Sequence, residues 1–74
     1  MEEEVCGRRI RAFRKLKGYT QEQLAKQLGI SVSILGEIER GNRKPTKDFM
    51  QLVAEQLRVP LHELFPTEEN HGMR

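Results

Sequence analysis

The chain has no tryptophan, one tyrosine and three phenylalanines, so its core has to be assembled from aliphatic side chains. It has a single cysteine, Cys6, which excludes an internal disulfide. With no C-x-x-C pair and no Cys/His spacing suited to zinc, no metal or cofactor is expected. No apolar run approaches the ~18 residues of a membrane span, and the opening Met1-Glu2-Glu3-Glu4 is unlike a secretory signal peptide. Together these absences predict a reduced, cytoplasmic protein with no membrane partner. His62 and His71 have no Ser, Cys or carboxylate spaced to activate a nucleophile, so no enzyme is expected either.

What is present is short and unevenly charged. Seventy-four residues hold one small fold, and a chain this size buries only about 60% of its unfolded surface, so a second copy would help to stabilise it. The net charge of +2 conceals three blocks. Residues 1–7 carry three acids and no base, residues 8–47 carry eleven Lys and Arg against three carboxylates, and residues 48–74 carry five acids against two bases. A basic body between acidic ends attracts phosphate, and points to a polyanionic partner.

Apolar periodicity predicts an all-α, compact bundle of about five short helices. Cys6, Ile10, Phe13 and Leu16 recur at three- and four-residue steps and form the inward stripe of a first helix, which Gly18 ends. Thr20, with Gln23 three residues on, is a capping box for a second helix carrying Leu24, Ala25 and Leu28; Gly29 closes it with a left-handed turn. Ser31 caps a third helix with Leu35 and Ile38 inward. Gly41-Asn42-Arg43-Lys44-Pro45 is a basic loop, and Thr46 caps a fourth helix carrying Phe49, Leu52, Val53, Gln56 and Leu57. Pro60 opens a last short helix with Leu61, Leu64 and Phe65 as its apolar face. The expected organisation is an acidic N-terminal extension over 1–6 leading into the first helix, a folded domain over 7–66 and a disordered tail over 67–74.

Two short helices joined at Gly29 with almost no loop must cross steeply, which is the geometry of a helix-turn-helix. From Gln21 to Gly41, with Leu24, Ala25, Leu28, Gly29, Ile30, Leu35 and Ile38 at the constrained positions, the chain resembles the phage-repressor (Cro and repressor-type) helix-turn-helix family. The likeness extends from about Gly7 to Phe65. It implies a lambda-repressor-like DNA-binding domain, with double-stranded DNA as partner and the third helix in the major groove. By that likeness Gln21 donates from its side chain and the helix amides to a DNA phosphate, and Ser31, Val32, Ser33, Gly36 and Glu37 occupy the exposed groove-facing positions. Asn42, Arg43, Lys44 and Lys47 match places where the family grips the backbone, and Arg14 and Glu39 match a structural ion pair tying the first helix to the third.

The groove-facing set departs from the family's pattern, because it lacks the Gln, Arg, Lys or Asn whose paired hydrogen bonds discriminate bases. Val32 can meet a thymine methyl and Glu37 can accept from a cytosine amino group, although its charge opposes phosphate. Val59, Leu61, Leu64 and Phe65 exceed what one short terminal helix can hide, and are divided between core and a two-fold interface. The expected function is a sequence-specific transcriptional regulator acting as a homodimer on a palindromic operator. The alternative is an interaction module that docks another regulator through the terminal or the recognition helix, using the exposed Val32 and Ile34 beside Gly36 or the C-terminal apolar residues, without specific DNA reading.

Overall fold

The structure is a computed structural model that describes residues 2–65, with side chains from Val5 onward. Four α-helices follow one another: α1, Glu2–Leu16; α2, Gln21–Leu28; α3, Val32–Glu39; and α4, Lys47–Leu57, followed by a single 3₁₀ turn, Leu61–Glu63. The expected tail, 67–74, lies outside the described residues.

Helix boundaries follow local chemistry. At α2 the capping box is complete: Gln23 N donates to Thr20 Oγ1 at 3.0 Å and Thr20 N donates to Gln23 Oε1 at 2.9 Å, which satisfies two amides that the helix itself cannot. Ser31 Oγ accepts from Ile34 N and Thr46 Oγ1 from Phe49 N, capping α3 and α4. Gly29 stands at φ 74° and its amide bonds back to Ala25 and Lys26, so α2 turns into α3 within three residues. The end of α4 uses the same left-handed conformation at Arg58, φ 59°, where a Cβ costs about 1–2 kcal/mol.

The core gathers Cys6 and Ile10 of α1, Leu24, Ala25 and Leu28 of α2, Leu35 and Ile38 of α3, Met50, Val53, Ala54 and Leu57 of α4, and Leu64. Three expectations are corrected here. Leu16 is not inward but 74% exposed: the buried line of α1 runs through Cys6, Ile10 and Arg14, and two residues beyond Arg14 is about 200° round the helix. The inward positions of α4 include Met50 and Ala54, while Leu52 is exposed. The expected fifth helix is only a 3₁₀ turn, because Pro66 disfavours helix at Phe65 and five residues between two prolines cannot propagate an α-helix.

α1 lies against α3 at Gly7, where an added Cβ would overlap the Ile38 carbonyl oxygen and come within 2.8 Å of that of Glu39. The other end of α1 reaches the C-terminal turn, where Arg9 Nη1 donates to the Glu63 carbonyl at 2.9 Å.

Candidate nucleic-acid interface

The site begins with a buried ion pair. Arg14 and Glu39 are 7% and 5% exposed, and every polar atom of their head groups has a partner. Arg14 Nε donates to Glu39 Oε2 at 2.7 Å, Nη2 donates to Oε1 at 3.2 Å, and Nη1 donates to the Tyr19 carbonyl at 3.0 Å. Gln21 Nε2 adds a donor to Glu39 Oε1 at 3.0 Å. A paired charge out of water is tolerated only with such complete bonding. The network joins α1, the start of α2 and the end of α3, and so sets the angle at which α3 is presented.

That bonding occupies part of the donor set expected of Gln21. One N–H of its amide nitrogen is held by Glu39, and with Gln23 N bonded to Thr20 the other N–H and the backbone amides of Gln21 and Glu22 are the donors left at this corner. Beside them is a cleft of about 350 Å³ lined by Arg11, Arg14, Gln21, Glu39 and Arg40. Arg14 and Glu39 neutralise each other, so Arg11 and Arg40, neither singled out by sequence reasoning, leave the cleft positive.

On α3, Ser31, Val32 and Ser33 are exposed and Glu37 is half-buried. Gly36 is corrected in one respect: it is buried, not exposed. A Cβ there would stand 3.1 Å from Arg40 Nη1 and 3.6 Å from Gln21 Nε2, so the missing side chain makes room for the Arg40 guanidinium to fold over the helix. Asn42, Arg43, Lys44 and Lys47 are all exposed. Arg43 is not independent of the groove face, since its Nε donates to Glu37 Oε1 at 2.8 Å.

At the C-terminal end, Leu64 is corrected in the same way. It is 0% exposed within one chain and belongs to the core, anchored there as Arg9 grips the adjoining carbonyl. Val59, Leu61 and Phe65 are only partly buried.

The helix-turn-helix family model HTH_3 matches residues 10–64, which takes in the α2–Gly29–α3 unit and the helices that support it. The chain belongs to the helix-turn-helix family. A similar family member is a curated protein of Bacillus subtilis named as the uncharacterized HTH-type transcriptional regulator YazB, 65% identical over 69 residues that cover 93% of this chain and all of that protein. The HTH-type transcriptional regulator SlrR of the same organism is 48% identical over 65 residues, covering 86% of this chain but 43% of its own length. Among solved structures, the master regulator for biofilm formation SinR in complex with DNA superposes with a TM-score of 0.74 at 38% identity, covering 80% of this chain and 95% of that one. This helix-turn-helix chain is a transcriptional regulator, not an enzyme. Among the described residues no helix is long and apolar enough to cross a membrane.

Proposed function

We propose that this regulator acts in the cytoplasm on double-stranded DNA as a homodimer, each copy laying α3 in the major groove of one half of a palindromic operator. The observation that carries the reading is the α2–Gly29–α3 unit, which leaves Ser31, Val32, Ser33 and Glu37 as the open face of α3 beside a positive loop and a positive cleft. Asn42, Lys44 and Lys47 grip phosphates on one side of that face. The first-turn amides of α2, with Arg11 and Arg40, grip them on the other. These contacts set register, and the face of α3 reads sequence.

Val59, Leu61 and Phe65 supply the two-fold contact. A second copy would cover their apolar surface, double the phosphate contacts and match the symmetry of a palindrome. The test is selection of bound sequences from random duplex DNA. A motif with inverted half-sites is the expected result, and a profile with no preferred base at any position would overturn sequence reading. That second outcome would promote the docking-module alternative, in which the same three apolar side chains capture another regulator.

A further inference from the structure

We infer that Arg43 is a specificity-determining residue, presented by Glu37 to a guanine in the major groove rather than to the phosphate backbone. The inference rests on the DNA-reading function proposed above and names a side chain that reads.

The exposed side chains of α3 leave a gap that something has to fill. Ser31, Val32 and Ser33 are short, and Gly36 is buried, so none of them offers the paired donors that distinguish a guanine by its O6 and N7 acceptors. A guanidinium does, because its planar fork carries two parallel N–H groups. Arg43 comes from the loop, yet its head group is fixed on α3: Nε donates to Glu37 Oε1 at 2.8 Å. Glu37 lies four residues after Ser33 and therefore on the same face one turn further on. The bond uses Nε, and neither Nη group is bonded to another described residue. The Arg43 side chain is 51% exposed, which leaves that edge accessible.

Charge separates the two possible targets. A phosphate approaching Arg43 meets the Glu37 carboxylate at the same place, and the two full negative charges repel; the guanine edge carries no net charge, and its O6 and N7 acceptors oppose the carboxylate more weakly. Lys44 and Lys47, by contrast, have no carboxylate partner among the described residues, as a phosphate grip requires. Glu37 also holds the long Arg43 side chain in place before DNA arrives, which removes part of the ordering cost of binding. In this arrangement Arg43 reads and Glu37 is a positioning residue.

The experiment is competition binding of the full chain and of Arg43→Lys, Arg43→Ala and Glu37→Gln to the selected site and to its single-base-pair variants, over a series of salt concentrations. Both side chains are partly exposed, and thermal melts of each variant check that the fold is intact. Arg43→Lys keeps the charge and loses the fork, so preference for guanine at one position of each half-site should fall about 5- to 150-fold, while the salt slope stays unchanged. Glu37→Gln should weaken preference at that same position by a smaller factor. The inference is overturned if Arg43→Lys retains the guanine preference. It is overturned equally if Arg43→Ala weakens every site alike and reduces the salt slope by about 1.8, the mark of one phosphate no longer neutralised by each copy of the dimer. Loss of discrimination at a different base pair in Glu37→Gln would show Glu37 reading a base directly and also overturn it. A profile with preferred bases that ignore Arg43 sinks this inference alone, whereas a profile with no preferred base takes the proposed function with it.

Discussion

Gly7 of α1 faces the carbonyl oxygen of Ile38 on α3 with no space for a Cβ between them. The contact brings the two helix backbones together beside the Arg14–Glu39 pair, so the presentation of α3 depends on a residue far from the groove in sequence. Gly36, also buried, differs in kind: its nearest neighbour is the movable end of Arg40.

The two glycines should therefore respond differently to the same substitution. Gly7→Ala forces backbone apart and should cost roughly 1–3 kcal/mol or more. Gly36→Ala displaces only a flexible side chain and gains helix propensity, so its stability should stay within about 1 kcal/mol of wild type, on either side. Urea unfolding of both variants checks the contrast, and equal losses would contradict it.

Breaking the buried ion pair should be severe. Arg14→Ala leaves the Glu39 carboxylate buried with only Gln21 as donor, and is expected to cost about 3–5 kcal/mol. Replacing both partners, as in Arg14→Met with Glu39→Leu, removes both charges and should recover a large part of that loss. Chemical denaturation of the single and double variants measures the difference.

Two of the left-handed positions, Gly29 and Arg58, should respond in opposite directions. A Cβ added at Gly29 would have nothing within 4 Å of it, so Gly29→Ala tests backbone strain without a clash and should destabilise by about 1–2 kcal/mol. Arg58→Gly relieves the same strain at the end of α4 and should stabilise by less than about 1 kcal/mol, because glycine also loses more freedom on folding. Thermal melts moving in the same direction for both would argue against these turns.

Phosphate binding should appear in the salt dependence. Replacing Lys44 and Lys47 together with alanine should weaken binding to all DNA sequences and lower the magnitude of the dimer's salt slope by about 3.6, roughly 0.9 for each of the four lysines, two per copy, that neutralise phosphates. Titrations at several salt concentrations give the slope directly, and an unchanged slope removes both residues from the interface.

Phe65→Ala should weaken self-association by deleting the bulkiest side chain of the half-buried C-terminal patch. Its effect on DNA binding should recede as protein concentration rises, since mass action restores the dimer. Sedimentation equilibrium alongside DNA titration separates this from a folding defect, which added protein would not repair.

Local rules made most of the framework legible. Thr20, Ser31 and Thr46 are capping residues whose hydroxyls reach amides three positions ahead, so the starts of α2, α3 and α4 could be placed from a few neighbouring residues, whereas α1 begins at Glu2, within the expected 1–6 extension. The turn at Gly29 was legible for the same reason. Met50, which joins Val53 and Leu57 at three- and four-residue steps, carried a periodic signal that the choice of Phe49 and Leu52 passed over. Gly7 carried none, because the Ile38 carbonyl that excludes its Cβ is thirty-one residues away.

The sequence by itself determined the helical class, the order of the helices and the helix-turn-helix, because these depend on short-range periodicity and on a long motif with many constrained positions; the Arg14–Glu39 pairing, twenty-five residues apart, was expected only from the family resemblance. Only the tertiary structure decided which side chains were already occupied. It put Leu64 in the core, set Gly36 beneath Arg40, tied Gln21 to Glu39 and placed Arg43 against Glu37. The physical reason is that a side chain's hydrogen bonds and exposure depend on what the fold brings to it from distant parts of the chain. A residue's type and spacing state what it can bind, but not which partner reaches it first.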